Sequence, residues 1–252
     1  MPRLDNPDEM ETNQAGTGTF TFTATTLDNL GASEYTLVGI AADASSSVAG
    51  FVAELNEAIA SIIGSCQHSP RADNLLIRLS QFSSDLEEIH GFKMLSSCHL
   101  SDYGDVLKVG GATALNDAVV DMCSAVSKQG DNLTSNDYEV NGILFVVTDG
   151  MEYRSTMGIE SAIKAMKDVM RSESLESFLT VLIGVNIEED YVRQQLDEYQ
   201  SKLGFDKFIP VKDASPKTLA KLAEFVSKSI SSQSQALGSG GPSQAIPNSL
   251  TI

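Results

Sequence analysis

Positive charge is scarce in this sequence. Lys and Arg number 17 against 34 Asp and Glu, for a formal net charge of −17 and a pI near 4.4. DNA affinity rests on Lys and Arg neutralising phosphates, so nucleic acid is excluded as a partner. An anionic membrane surface is excluded on the same ground. Cysteine is also rare. Cys66, Cys98 and Cys123 form an odd, widely spaced set with no Cys-x-x-Cys pair, which reads neither as a disulfide framework nor as a zinc site. His68, His90 and His99 contain no His-x-x-x-His pair. Adjacent Cys98 and His99 have the chemistry to ligate a metal, but a surface or core role is the simpler reading. No apolar run approaches the roughly 20 residues that a bilayer span needs, so no membrane partner is expected. Residues 1–12 are acidic and polar, with neither a basic nor an apolar stretch, so no signal peptide is visible. The resulting expectation is a cytoplasmic protein in a reducing compartment.

What is present is a run of short apolar segments separated by amphipathic ones. Phe20 and Phe22 alternate with Thr21 and Thr23, which predicts an added edge strand over 18–25. Strands are predicted over 36–42, 74–82, 86–95, 142–148, 178–185 and 207–211, and helices over 48–63, 114–128, 157–171, 188–202 and 215–230. The short link between 74–82 and 86–95 implies an antiparallel hairpin, hence a sheet edge. The alternation predicts an α/β fold: a doubly wound, mostly parallel central sheet with one antiparallel edge strand and helices on both faces. Residues 34–230 make up this domain. Residues 1–33 read as a flexible segment carrying the extra strand, and 231–252, rich in Ser, Gly and Pro, as a flexible tail.

Three predicted loops carry the polar chemistry. Asp43-Ala44-Ser45-Ser46-Ser47 follows an abrupt end to an aliphatic run. Thr113 follows Gly110-Gly111 and leads into a helix. Asp149-Gly150 follows Val146-Val147-Thr148. All three loops fall at the carboxyl edge of a parallel sheet, where open α/β sheets place their ligands. The donors are all oxygens, which suit a hard cation such as Mg²⁺ or Mn²⁺. Taken alone, Ser45 and Ser47 read better as caps of the helix that follows. The glycine pair lacks the Lys-Ser/Thr ending of a P-loop, which excludes a phosphate cradle. Asp117 and Asp121 lie one helical turn apart and are expected on a solvated helix face. Cys123, beside Met122, reads as core.

With these residues in place, the sequence resembles a von Willebrand factor type A (vWA) domain over about 34–230. That family carries a metal-ion-dependent adhesion site (MIDAS) of Asp-x-Ser-x-Ser, a distant Thr and a distant Asp-Gly. Asp43, Ser45, Ser47, Thr113 and Asp149 match all five positions. Ser46 stands where many members have glycine, Val48 replaces a common methionine, and one residue is inserted before Thr113. The resemblance implies that Ser45 and Ser47 ligate the metal directly, and that Thr113 does so directly or through water. Asp43 and Asp149 would hold coordinated waters. It implies an open coordination position that takes a Glu or Asp from a partner protein. It further implies a MoxR-type AAA+ ATPase as partner, or a stress and tellurium-resistance setting, to which Phe51 to Ser65 is somewhat similar. The alternative is a structural subunit of a virus particle, pilus or secretion machine, with contacts made by the tails. No enzyme activity is expected. Haloacid-dehalogenase-like phosphatases need Asp-x-Asp where this chain has Asp43-Ala44-Ser45, and no Ser-His-Asp set is suggested.

Overall fold

The computed structural model describes residues 2–15, 20–187 and 189–239. The central strand is β3 (Glu34–Asp43), buried along nearly its whole length. Its alternate side chains feed two separate cores. Val38, Ile40 and Ala42 pack with α1 (Val52–Gln67) and α5 (Pro216–Gly238). Tyr35, Leu37 and Ala41 pack on the opposite face with α2 (Leu115–Thr134). A Cβ on Gly39 would meet Met122 Sδ at 2.7 Å, so this glycine lets α2 lie close against β3. The second face is completed by α3 (Ile159–Arg171) and α4 (Asp190–Leu203).

The remaining strands are β1 (Met10–Ala15), β2 (Phe20–Thr25), β4 (Leu75–Phe82), β5 (Leu86–Met94), β6 (Glu139–Thr148), β7 (Phe178–Gly184) and β8 (Lys207–Pro210). The sheet order is β1-β2-β5-β4-β3-β6-β7-β8. Strands β4, β3, β6, β7 and β8 run parallel. β5 is antiparallel to β4, as the short link predicts. The sheet is therefore doubly wound, mostly parallel and covered on both faces. Among the described residues no helix is long and apolar enough to cross a membrane.

Several details depart from expectation. β5 is not the edge: β2 lies outside it, joined at Ala24 and Phe92, and β1 lies outside β2. Residues 10–15, expected to be flexible, are a strand paired from Met10↔Thr25 to Ala15↔Phe20. Their polar composition hid them, because the ladder holds their backbone rather than their side chains. Helix α2 continues through Gly130 to Thr134, since Gly130 packs against Leu175 and Ser174 instead of ending the helix. α5 continues past Ile230 to Gly238, and Gln233, Ser234, Ala236 and Leu237 are buried. Arg71 secures these turns, donating to Glu34 Oε1 at 2.6 Å and to Ser234 Oγ at 3.3 Å. The rest of the predicted tail, 240–252, lies outside the described residues, as do positions 18 and 19 of the predicted edge strand.

Asp117 and Asp121 are also not on a solvated face; both are buried. Asp121 accepts from Arg78 Nη1 at 2.8 Å, and Glu88 accepts from Arg78 Nε at 2.6 Å. Arg78 is 1% exposed. Burial works against its charge, but the two carboxylates outweigh burial and raise its pKa. Removing one partner of such a set strands the others without solvent. Arg78→Ala should therefore lower the unfolding free energy in urea by about 3–5 kcal/mol. A loss under about 1 kcal/mol would mean that water takes over both acids.

His90 is fully buried on β5, with Nδ1 2.9 Å from Gly91 O and Nε2 3.0 Å from the Tyr103 hydroxyl. The ring donates to the carbonyl and accepts from the phenol. Burial, reinforced by Lys93, pushes its pKa from 6.5 down to about 3. The folded value lies below the unfolded one, so the neutral ring's contribution is full above about pH 6.5 and is lost as pH falls toward 3. His90→Gln should flatten the fall in stability across that window relative to wild type. Parallel stability curves for the two proteins would refute this assignment.

Candidate metal centre

The five candidate residues all come to the carboxyl edge of the sheet. Asp43 ends β3. Ser45 precedes, and Ser47 lies within, a single turn of 3₁₀ helix over Ser46–Gly50. Thr113 stands just before α2, and Asp149 just after β6. Asp43 Oδ1 accepts from Ser45 N at 2.8 Å, and Oδ2 accepts from Thr148 Oγ1 at 2.6 Å. Ser47 Oγ donates to Asp149 Oδ1 at 2.8 Å and lies 3.0 Å from Ser45 Oγ. With the Ser47 proton spent on Asp149, Ser45 is the donor of that second pair. Four of the five residues are thus joined in one hydrogen-bonded chain. Thr113 is not part of it. Its hydroxyl lies 3.9 Å from where a Cβ on Gly150 would stand, beside Asp149.

The capping alternative for the serines does not describe this geometry. Ser45 makes no side-chain cap bond, and α1 begins only at Val52 with Phe51 at its cap position. The serine hydroxyls bond each other and Asp149 instead. The glycine pair sets the loop. Gly111 has φ +78°, and a Cβ there would lie 2.7 Å from Ser84 Oγ. Its carbonyl accepts from Ser46 N at 3.1 Å and from Ser46 Oγ at 2.9 Å, while Gly110 N donates to Ala44 O at 2.8 Å. Ser46 thus uses its side chain to fasten the first loop to the second.

Electrostatics gives the set its character. Asp43 is 1% exposed. Burial raises its pKa to about 6 against the hydrogen bonds from Thr148 and Ser45, and the like charge of Asp149 adds to the rise. Burial also raises Asp149, opposed by the Ser47 hydrogen bond. Two carboxylates and three hydroxyls are therefore gathered where positive charge is deficient, and a hard divalent cation would supply it. Among the described residues no cluster of three or more His, Cys, Asp or Glu is placed to hold a metal ion. Any metal here must take neutral hydroxyls as ligands. Cys98 is buried and His99 exposed, and the three cysteines are free.

Sequence reasoning missed the residues that hold this set in place. Thr148 binds Asp43 and also accepts from Gly150 N at 3.2 Å. It is the one hydroxyl in the apolar run of β6, a signal available in the sequence. Glu152, Ser155 and Asp117 tie the Asp149 loop to the start of α2, through contacts that no local pattern announces.

Solved structures share the fold. A mutant of the PilB minor pilin from Streptococcus sanguinis aligns over 87% of this chain and 66% of its own, at TM-score 0.60 and 13% identity. The pilus adhesin SpaC from Lactobacillus rhamnosus GG, in an open conformation, aligns over 90% of this chain and 35% of its own, at 0.57 and 11%. Proximal thread matrix protein 1 from the mussel byssus, with a zinc-occupied MIDAS motif, aligns over 78% of this chain and 46% of its own, at 0.51 and 18%. This chain spans less than two thirds of each of those proteins. At these identities the likeness establishes a vWA- or Rossmann-like α/β fold and nothing more. No family model matches the chain, and a search of curated proteins gives no match.

Thr148→Val removes a donor from a buried carboxylate. The Asp43 pKa should rise above about 6, as read by carboxyl NMR titration, whereas Thr148→Ser should leave it in place. The folded value already lies above 3.8, so ionising Asp43 costs stability as pH rises through about 6. The valine variant should therefore lose about 1–3 kcal/mol at pH 8 and less at pH 4. An unchanged titration would remove Thr148 from the centre.

Proposed function

We propose that this chain is a divalent-metal-dependent protein interaction module. In this reading Ser45, Ser47 and Thr113 hold the ion, Asp43 and Asp149 hold its waters, and a partner protein supplies Asp or Glu to an open position. The observation that carries it is the chain of hydrogen bonds from Thr148 through Asp43, Ser45 and Ser47 to Asp149. These bonds bring neutral hydroxyls and two carboxylates raised by burial together, with neither Ser45 nor Ser47 capping a helix through its hydroxyl. An all-oxygen donor set favours Mg²⁺ or Mn²⁺ over zinc, which prefers nitrogen and sulfur. Neutral hydroxyl ligands leave the cation electrophilic enough to attract a partner's carboxylate. No catalytic step is assigned to the site. The free thiols suit a cytoplasmic setting, and the partner in this reading is a MoxR-type AAA+ ATPase, as the family resemblance implies.

A second reading, a subunit of a larger assembly, draws on the pilus and byssus origins of the proteins that share the fold. Metal dependence separates the two. Saturating Mg²⁺ or Mn²⁺ should stabilise wild type by about 2.7 kcal/mol at a hundredfold excess over Kd. Ser47→Ala, at an exposed position, should fold normally and lose that gain. Partner capture should require the ion and be lost in EDTA and in Asp43→Ala. A protein indifferent to both ions, with capture unchanged in EDTA, would leave only the assembly reading.

A further inference from the structure

The loop that follows Asp149 of the candidate metal centre carries two uncovered side chains. Loop 150–158 leaves β6 at Asp149 and is clamped by the start of α2. Ala114, the cap residue of α2, has no polar side chain, and the loop supplies the missing caps. Glu152 Oε2 accepts from Asn116 N at 2.7 Å, and Ser155 Oγ accepts from Asp117 N at 3.1 Å. Asp117 reciprocates, accepting from Thr156 N and Met157 N at 2.8 Å each. Ser155 N and Oγ close the loop on Glu152 at 2.7 and 2.6 Å. Within this clamp the backbone N–H groups of Tyr153 and Arg154 both donate to Thr113 O, at 2.9 and 3.0 Å. The two residues are therefore anchored to the backbone of a candidate metal ligand.

Their side chains are left to solvent. Tyr153 is 83% exposed, more than any other exposed large hydrophobic among the described residues. Arg154 is exposed and takes part in none of the ion pairs among the described residues. It is also the single basic residue in the loops 43–47, 110–114 and 148–158. A tyrosine and an arginine held on a rigid backbone and left uncovered have the composition of an interface hot spot. Holding them in advance lowers the ordering cost of binding. In a chain of net charge −17, an exposed guanidinium on a residue whose backbone is tied to Thr113 favours an acidic partner.

Building on the metal-site reading, we infer that the partner is an acidic segment presenting two carboxylates a few residues apart. One goes to the metal and one to Arg154, with the chain between them packed on the Tyr153 ring. Arginine can take the second carboxylate through two parallel N–H···O bonds, which fixes the direction of the segment.

A phage-displayed library of random peptides, panned on the immobilised full chain, tests this directly. On wild type in Mg²⁺ the selected peptides should share two acidic positions at a fixed spacing. On Arg154→Glu the second acid should give way to Lys or Arg while the first persists. Two-acid peptides should bind wild type at least about tenfold more tightly than Arg154→Glu, and Tyr153→Ala should weaken them without altering the acidic pattern. The same two-acid consensus on wild type and Arg154→Glu would overturn the inference and leave the metal reading intact. Selection that is unchanged in EDTA, or that yields no acidic consensus at all, would overturn both. Mg²⁺-dependent self-association of wild type, lost in Arg154→Glu, would overturn the partner in favour of a second copy of this chain.

Discussion

The carboxyl edge of the sheet is arranged around one buried carboxylate. Asp43 ends the central strand in a position from which water is nearly excluded, and its pKa is pushed to about 6. Two other acids are treated differently. Asp121 and Glu88 both accept from Arg78, a cation of the protein's own placed between two carboxylates. Asp43 and Asp149 receive hydroxyl and backbone donors instead, which only partly offset burial. At Glu88, too, burial outweighs the arginine and raises the pKa, so the difference lies in the cation itself, which the first arrangement has in place. The other remains short of positive charge. Buried acid left without a cation, at the edge where open α/β sheets place their ligands, is the pattern expected of a functional site rather than of a core.

That cost can be sustained because the three loops fix one another. Ser46 binds Gly111, Gly110 binds Ala44, Ala114 binds Ser83, and Tyr153 with Arg154 bind Thr113. The fasteners are mostly backbone groups, so the positions of the candidate ligands depend little on side-chain rotamers. A site held this way loses little entropy when an ion arrives, and keeps its geometry when none is present. The reciprocal caps between loop 150–158 and α2 extend the same logic. They supply a helix N-terminus that has no polar cap of its own, and they couple the Asp149 loop to the Thr113 loop.

How much of this could be read in advance depended on the range of the interaction. The parallel strands were legible because their apolar runs are local, and the loop positions followed from them. The resemblance then joined Asp43, Ser45, Ser47, Thr113 and Asp149 across more than a hundred residues of sequence, which no periodicity could do. What escaped was non-local and polar. β1 has no apolar alternation and exists through its ladder with β2. The last turns of α5 are fastened by Arg71 and Glu34, far away in the chain. Asp117 and Asp121 have the spacing of a solvated face, but each is buried against a partner on another element, Thr156 and Met157 for one and Arg78 for the other. Thr148 was visible as a lone hydroxyl, yet its role became clear only once β6 lay beside β3.

Burial across the candidate centre is graded, and the gradient has a direction. Asp43 and Ser45 are 1% and 2% exposed, whereas Ser47 is exposed and Asp149 is half-buried. The side that meets solvent is therefore the Ser47–Asp149 side, which is also the side continued by Gly150 and the loop carrying Tyr153 and Arg154. On the proposed reading, a group arriving from another protein would come from the side of the exposed hydroxyl and the half-buried acid, with the deeply buried acid behind them. Deep placement of Asp43 would keep its charge away from such a group and leave it to hold the centre. Shallow placement of Ser47 leaves the centre reachable. A uniformly buried set would be closed to a partner, and a uniformly exposed one would lack the dielectric contrast that makes a carboxylate–cation contact strong.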